Sequence, residues 1–295
     1  MALMPAVERP LSWLALTPAL FVVLWSTGFV GGKLGLPYAG PMSFLTLRFA
    51  CVSLFMLAVS FATGAAWPKD WREAGHIAVV GLLLQGIYLG GVFVGIANGV
   101  SAGFSALIVG LQPALTAAFA GPLLGERMTP RQWLGFAVGI LGVGLVAASK
   151  PDTAGASLFG AAATVAALFG ITLGTLYQKR FCGRMDLRTG TVIQNAVAGG
   201  VMLCAGAAFE TFHVEWSGRF VFALLWLCLV LSVGATLLLF ALLRHGAAGR
   251  VASLFYLVPP VTALMAFLLF GERLGPPALG GMALAAIGVA LVNRR

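Results

Sequence analysis

The sequence predicts an all-α integral membrane protein with ten transmembrane helices, arranged as two inverted five-helix repeats. Three observations predict this fold. Of the 295 residues, 60% are hydrophobic and only 9% are charged, whereas soluble globular domains carry roughly 25% charged residues. Long apolar runs alternate with short polar segments along the whole chain, and part of the first half recurs in the second half.

The composition excludes a soluble fold. Too few polar groups are present to cover a water-facing surface around this much Leu, Ala, Val and Phe, so most side chains must face lipid or other helices. A transmembrane helix needs about 20 apolar residues, which leaves room for about ten spans joined by short loops. Almost no sequence remains for a soluble domain.

Charged residues, prolines and polar clusters divide the apolar sequence into the ten predicted spans. These are 12–32, 41–63, 74–95, 98–121, 131–148, 157–178, 188–209, 219–243, 246–270 and 277–293. The first run follows Arg9 as in a signal peptide, but its length of about 20 residues and the lack of a cleavage site predict a retained helix. Only Asn98 and Ser101 separate the third run from the fourth.

The distribution of basic residues predicts the topology. The net charge is +9, and we attribute it to membrane orientation and not to a nucleic-acid partner. The even-numbered loops and both termini carry 13 of the 18 Lys and Arg residues, the other side carries four, and Arg48 lies within a span. Both termini are therefore predicted to be cytoplasmic. A merged third and fourth span would destroy this segregation.

The internal repeat has an offset of 146 residues and needs no gap. It superimposes Pro113, Thr116, Ala117, Gly125, Glu126, Arg127, Pro130, Gly135 and Gly142 on Pro259, Thr262, Ala263, Gly271, Glu272, Arg273, Pro276, Gly281 and Gly288. Lys33 falls on Lys179 by the same offset. The predicted repeats are 1–150 and 151–295. Each has five spans, and because five is odd, the second must be inverted relative to the first.

Several short motifs resemble the EamA module of the drug/metabolite transporter superfamily. They are Leu24-Trp25-Ser26-Thr27-Gly28-Phe29, Lys33, Leu47-Arg48-Phe49, Pro113, Leu124-Gly125-Glu126-Arg127, Gly135 and Leu141-Gly142-Val143. The resemblance implies a ten-helix carrier of the bacterial inner membrane that exports amino acids or similar metabolites. It also implies a central cavity lined by helices 1, 3, 4, 6, 8 and 9. Within the superfamily, the YddG-type aromatic amino-acid exporters are the most similar branch. The second half departs from the module, with Ile171 and Gln194 in place of Trp25 and Arg48.

The candidate substrate-binding residues are polar or aromatic and fall on, or at the end of, these six helices. They are Trp25, Ser26, Lys33, Gln85, Tyr88, Asn98, Ser101, Ser105, Phe169, Thr172, Tyr177, Trp226 and Tyr256. Each polar residue can instead join helices through a hydrogen bond worth about 0.6 kcal/mol. As a set they favour a cavity. Pro113 and Pro259 are hinge candidates, because each interrupts helical hydrogen bonding within a span; a static kink is the alternative.

Charged residues near or within the spans each have two interpretations. Arg48 can anchor a substrate carboxylate, or it can extend toward the outer surface or tie helix 2 to loop carbonyls. Because helix 2 is outside the implied cavity, the second interpretation is favoured. Lys33 can attract a carboxylate or simply end its span. The repeated Glu-Arg pairs at 126–127 and 272–273 are expected to cap helices and fix tight loops, with a gating ion pair as the alternative.

A secondary transporter fits the sequence better than three other classes of protein. An enzyme needs a nucleophile with a base, or paired acids, at membrane depth, and the acidic residues and histidines lie in loops or near span ends. A channel would show a filter loop or a charged ring, and a scaffold would not explain inverted repeats. The four cysteines lack metal-ligand spacing. We therefore expect no metal, no cofactor, a small-molecule substrate, the lipid bilayer as surroundings, no nucleic acid, and a monomer.

The predicted mechanism is facilitated diffusion by alternating access. Aromatic side chains with few fixed charges favour neutral or zwitterionic amino acids and a broad, stacking-based specificity. No carboxylate is expected at lipid depth, although a shifted boundary would bring Glu210 inward. A proton-coupled drug/metabolite antiporter is therefore the alternative, and an intramembrane enzyme is a weaker one.

Overall fold

The computed structural model describes residues 13–124, 129–148, 157–235, 238, 242, 254–272 and 275–293. We number its helices in chain order, and each corresponds to one predicted span. They are α1 (Trp13–Gly35), α2 (Pro41–Ala62), α3 (Trp71–Ala97), α4 (Ala102–Val109 and Gln112–Leu124), α5 (Pro130–Ala148), α6 (Leu158–Phe181), α7 (Leu187–Phe209), α8 (Gly218–Ala235), α9 (Val258–Phe270) and α10 (Pro276–Asn293).

The all-α membrane fold predicted from the sequence is confirmed. Seven of these helices are long and apolar enough to cross a bilayer, and three shorter apolar segments belong to α5, α9 and α10. Between α3 and α4 the chain turns at Gly99, which has a φ of 87°. The Ser101 side chain then accepts a hydrogen bond from the backbone N–H of Phe104 at 3.2 Å and caps α4. The third and fourth spans are therefore separate helices, as the charge distribution predicted.

Equivalent helices of the two repeats pack against each other in opposite directions. At one end of the α2–α7 pair, the backbone N–H of Met42 donates to Glu210 at 2.8 Å. At the other end, Arg188 donates to the Thr63 hydroxyl at 2.7 Å. The start of α2 is thus beside the end of α7, and its end is beside the start of α7. Equivalent helices that run antiparallel require an inverted repeat.

Two peripheral pairs flank a central group of six helices. The pairs are α2–α7 and α5–α10, and the central helices are α1, α3, α4, α6, α8 and α9. Helix α1 packs on α8 and α9 of the other half, and its equivalent α6 packs on α3 and α4 in the same way. The central helices are those that the family resemblance assigned to the cavity.

Glycines at equivalent positions bring α5 and α10 into close contact. A Cβ atom at Gly135 would lie 2.6 Å from the carbonyl oxygen of Gly288, and one at Gly142 would lie 2.5 Å from that of Gly281. The two contacts are equivalent, because the repeat offset relates Gly135 to Gly281 and Gly142 to Gly288. In lipid, where helix association depends on van der Waals packing, such close approach is a main source of stability.

Helices α3 and α8 each contain a π-helical segment, at equivalent places in the two repeats. The segments are Leu82–Leu89 and Trp226–Ala235, and the offset of 146 superimposes the first on 228–235. In α8, the Ser232 hydroxyl donates to the carbonyl of Leu227 at 2.9 Å, five residues earlier. The wider π turn frees backbone groups from regular α pairing, and such segments are frequent at functional sites.

The two ends of the bundle are named by a residue at each. The Lys33 end contains the end of α1 and the start of α2, and the Tyr177 end contains the end of α6 and the start of α7. At the Tyr177 end, Asp186 caps α7 by accepting from the backbone N–H of Arg188 at 2.9 Å. The Arg188 guanidinium lowers the pKa of Asp186 to about 2, so this carboxylate stays charged at physiological pH.

The glycine contact between α5 and α10 predicts a position-specific loss of stability. We expect Gly142→Ala to lower the free energy of unfolding by about 1–3 kcal/mol, because the added methyl group would overlap the backbone of α10. Gly144→Ala is the matched control, since a Cβ there meets nothing within 4 Å. It should leave stability unchanged or raise it by up to about 1 kcal/mol. Unfolding midpoints of the purified variants in one detergent measure both, and equal effects at 142 and 144 would contradict the packing argument.

Candidate substrate pathway

At the Lys33 end, an ion pair joins the two halves of the protein. The Lys33 ammonium, in the last turn of α1, pairs with the Glu272 carboxylate just beyond α9. The same carboxylate accepts from the backbone N–H of Ala102, the first residue of α4, at 3.3 Å. The Lys33 nitrogen also lies 5.0 Å from the centroid of the Phe270 ring. One carboxylate of the second repeat therefore holds two helices of the first.

Below this ion pair, aromatic side chains of α1 contact the second repeat. The Trp25 ring meets the Phe255 ring edge to face at 5.3 Å, and Phe21 lies at 5.4 Å from Trp25 and 5.3 Å from Phe255. The Trp226 indole donates to the Thr27 hydroxyl at 2.9 Å. Trp25 and Trp226 thus lie on opposite sides of α1, each in contact with a helix of the other half.

Two of the candidate hydroxyls serve as helix contacts in the structure. Ser26 is fully buried and donates to the carbonyl of Val22 in its own helix at 2.7 Å, with the carbonyl of Val258 at 3.3 Å. Thr172 is fully buried and donates to the carbonyl of Leu168 at 2.7 Å. Their polar atoms are satisfied by backbone.

Other buried hydroxyls lie on α4 and around the start of α9. The hydroxyl groups of Ser105, Tyr256 and Thr262 are buried and have no hydrogen-bond partner within the described part of the chain. Tyr256 lines a small cavity between α4, α9 and α10 together with Gly110 and Pro259. A buried hydroxyl without a partner is costly, so these atoms are available to a bound water or polar solute.

Gln85 and Tyr88 lie in the π-helical segment of α3, and both are partly buried. The Cys228 thiol of α8 is 3.7 Å from the backbone carbonyl oxygen of Arg48 in α2. Arg48 is only 5% exposed, so its side chain does not extend to the surface. The structure thus brings Arg48 next to the π-helical segment of α8.

Four candidate residues lie away from the surroundings of Arg48. Asn98 and Ser101 cap helix ends at the Lys33 end, where Asn98 donates to the carbonyl of Val94 at 2.8 Å. Phe169 is 40% exposed on α6. Tyr177 lies at the opposite end of the bundle, where its hydroxyl is 2.8 Å from His76 Nδ1.

The carboxylate of Glu210 has a structural role at the Lys33 end. It accepts hydrogen bonds from the backbone N–H groups of Met42 and Ser43 at 2.8 and 2.9 Å, and from the Ser43 hydroxyl at 2.6 Å. It therefore caps the start of α2 from the end of α7, where the helix dipole favours negative charge. Among the described residues, no Asp or Glu lies further inside a helix than the first turn.

Both hinge candidates follow a break in regular α-helix. Helix α4 is interrupted between Val109 and Gln112, just before Pro113, and a 3₁₀ turn at Phe255–Leu257 precedes Pro259. Pro113 and Pro259 are each the second residue of the segment that follows. A Cβ atom at Gly110 would lie 2.9 Å from Cγ of Pro259, so the two breaks touch across the repeat interface. Their action as hinges remains a prediction.

Some contacts have no signal in the sequence pattern. The sequence did not mark three of the contacting residues as candidates: Thr27, Phe255 and Cys228. It also did not predict the π-helical segments, because the repeat offset relates the two segments but does not identify them as π-helical. Glu126, Arg127 and Arg273, which belong to the repeated Glu-Arg pairs, lie outside the described residues. In the ranges that the structure covers, no three His, Cys, Asp or Glu side chains are grouped so that they could hold a metal ion.

Two inverted five-helix repeats in one membrane-embedded bundle define the class of secondary transporters. The sequence model of the EamA-like transporter family matches residues 12–148 and again 158–294. The chain therefore belongs to the EamA-like transporter family, as its motifs predicted.

Relatives and a solved structure extend along almost the whole chain. The probable terminal-alkyne amino-acid exporter of Streptantibioticus cattleyicolor is 30% identical, covering 94% of this chain and 92% of its own length. The uncharacterized transporter YvbV of Bacillus subtilis (strain 168) is 26% identical over 98% and 94%. The probable amino-acid metabolite efflux pump of Escherichia coli (strain K12) is 26% identical over 86% of each chain. A crystal structure with 18% identity superimposes with a TM-score of 0.65 over 94% of this chain and 96% of that one, which shows the shared fold.

The ion pair at the Lys33 end predicts coupled effects on stability. We expect Lys33→Met and Glu272→Gln each to lower the unfolding midpoint, and the double variant to be no less stable than the worse single variant. The coupling energy in this double-mutant cycle should be about 1 kcal/mol. Purified proteins in the same detergent provide the measurement. Strictly additive effects would show that the two side chains do not interact.

Proposed function

We propose that this protein exports amino acids and related small metabolites across the bacterial inner membrane by alternating access. The observation that carries the proposal is the ion pair between Lys33 and Glu272, which closes the Lys33 end between the two repeats. The repeat offset relates Lys33 to Lys179 and Glu272 to Glu126. Lys179 lies in the last turn of α6, at the Tyr177 end. The repeat therefore places equivalent lysines at opposite ends of the bundle.

Alternating access follows from this arrangement. When the repeats, 1–150 and 151–295, rock against each other, contacts between them at one end separate while those at the other end form. The touching helix breaks at Gly110 and Pro259 lie where the halves would pivot.

Neutral and aromatic amino acids are the proposed substrate class. Two relatives are named as exporters or efflux pumps of amino acids or their metabolites. Trp25, Tyr88, Trp226 and Tyr256 supply aromatic surface on the central helices, and aromatic faces bind planar and apolar groups without one fixed hydrogen-bond pattern. The YddG-type branch remains the more specific form of this proposal.

The proposed energetics is facilitated diffusion. Proton-driven antiport of a cation requires a titratable acid at the substrate site. Glu210, the one acid that a shifted helix boundary would have brought inward, caps α2 with three hydrogen bonds. The substrate gradient would then set the direction of transport. The alternative is a proton-coupled drug/metabolite antiporter; an intramembrane enzyme is the weaker alternative, because the family consists of transporters.

In the proposed orientation both termini are cytoplasmic, and the Lys33 end faces the periplasm. The segregation of basic residues supports this orientation. A bacterial inner-membrane location is supported by a relative named as an inner membrane transporter. We also propose that the functional unit is a monomer, because each chain contains both repeats.

Purified protein in liposomes tests the function and its energetics together. We expect entry of labelled phenylalanine or leucine down its gradient, counterflow exchange with unlabelled amino acid, and no accumulation above equilibrium when a proton gradient is imposed. Glu210→Gln should reduce stability while the transport of the folded fraction stays independent of the proton gradient. Glu215→Gln, an exposed glutamate between α7 and α8, is the control for the loss of a carboxylate.

Two outcomes would change the proposal. Liposomes that take up no amino acid under any gradient would remove the proposed function. Accumulation driven by the proton gradient, abolished by Glu210→Gln with counterflow intact, would replace facilitated diffusion with proton antiport.

Single-cysteine labelling tests the orientation. In a background without Cys51, Cys182, Cys204 and Cys228, we expect Arg273→Cys to react with a membrane-impermeant maleimide on intact cells, whereas Arg127→Cys should react only after permeabilisation. The reason is that an odd number of spans separates equivalent loops of the two repeats. Reaction of both cysteines from the same side would contradict the inverted topology.

A further inference from the structure

Arg48 is a buried cation. It is 5% exposed, and its Nη1 atom is buried and has no hydrogen-bond partner among the residues that the structure describes. A guanidinium stays protonated in proteins and has five N–H donors. Leaving such a group buried and unpaired is strongly destabilising, so its presence at this position needs a compensating function.

Among the described residues, no acidic side chain pairs with Arg48. Its neighbours on α2 include Phe44, Leu45, Phe49 and Val52, which all belong to the main apolar core. In the part of the chain that the structure describes, the ion pairs are those of Lys33 with Glu272 and Arg188 with Asp186, and neither includes Arg48. Intramembrane Arg residues normally pair with an acid or with backbone carbonyls. A bound substrate can supply such an anion.

The groups around Arg48 come from both repeats. The Cys228 thiol of α8 is 3.7 Å from the Arg48 carbonyl oxygen, and Tyr88 of α3 packs against the apolar core that contains the neighbours of Arg48 on α2. Cys228 lies in the π-helical segment of α8. Arg48 is therefore beside the irregular helical backbone of the second repeat.

The three residues lie at comparable depths. Arg48 is seven residues from the start of α2, Tyr88 nine from the end of α3 and Cys228 ten from the start of α8, all counted from the Lys33 end. At 1.5 Å per residue, these separations are about 10–15 Å. The hydrocarbon core of a bilayer is about 30 Å thick, so the three residues lie between the Lys33 end and the midplane, near which inverted-repeat transporters bind their substrates.

We propose that Arg48 binds the carboxylate of the transported amino acid. The inference rests on the proposed function and adds the group by which the substrate is recognised. The planar guanidinium forms two parallel hydrogen bonds with a carboxylate, and these compensate for its burial. A single Arg matches a singly charged carboxylate, whereas a phosphate would call for several convergent cations.

The arginine of this proposed site is present in the first repeat and not at the equivalent position of the second. The position equivalent to Arg48 in the second half is Gln194 of α7, which is 6% exposed. Its side-chain nitrogen is 3.8 Å from the sulfur of Met185. The second repeat thus has a buried glutamine where the first repeat has Arg48. Because the guanidinium is present once, one carrier holds one carboxylate group at a time.

Transport of a matched pair of solutes tests the assignment. Phenylalanine and phenylalaninamide share a side chain and an amino group, but only phenylalanine has a carboxylate. In liposomes we expect the wild-type protein to prefer phenylalanine by about tenfold or more, as expected for the loss of a charge-assisted hydrogen bond. Arg48→Gln should bring this ratio close to one, chiefly by slowing phenylalanine. Arg48→Lys keeps the charge without the fork and should give an intermediate ratio.

The controls separate recognition from folding and from the proposed function. Arg188→Gln removes an arginine at the Tyr177 end and should leave the ratio unchanged. If Arg48→Gln does not fold, competition of the amide with labelled phenylalanine on the wild-type protein decides the question. Equal transport of acid and amide by the wild type, or an unchanged ratio in a folded Arg48→Gln variant, would overturn the assignment. Failure of the wild type to transport any amino acid would instead remove the proposed function.

Discussion

The antiparallel contact between equivalent helices is the constraint on which the rest of the structure depends. In lipid, apolar surface alone gives no reason for helices to associate, so close packing and hydrogen bonds must hold the bundle. The α5–α10 pair meets this need with glycines at the crossing, and the α2–α7 pair with polar links at both of its ends. Because each pair contains one helix from each repeat, the same contacts that stabilise the bundle also join its two halves.

The central helices are joined across the two repeats by more varied contacts. Trp25 meets Phe255 through ring edges, Trp226 donates to Thr27, and Lys33 pairs with Glu272 at the end of the bundle. An ion pair that is partly open to water contributes little net free energy, so it can break without unfolding the protein. A transporter needs some contacts between its halves that can be exchanged in this way.

Arg48 shows how substrate recognition relates to stability in this fold. A guanidinium in the apolar core costs free energy in the empty carrier, and a substrate carboxylate would recover part of that cost on binding. The adjacent π-helical segment of α8 is also less regular than the helices around it. Features that lower stability locally are expected at functional sites, and well-packed structure elsewhere compensates for the lost stability.

The sequence by itself determined the class of fold, the number of helices and the repeat, because each follows from local or periodic features. Apolar length fixes a span, and a gapless offset relates Pro113 to Pro259 and Glu126 to Glu272. It could not determine which side chains meet, because contacts across the repeats depend on helix rotation and crossing. Ser26 and Tyr177 looked alike as polar residues of lining helices, yet one bonds to nearby backbone and the other lies at the Tyr177 end. Arg48, on a helix outside the expected cavity, lies beside the π-helical segment of α8 only because α2 packs against α8. Tertiary packing decided these positions, since the rotation of a helix in a bundle is set by its neighbours and not by its own apolar residues, which surround it on all sides.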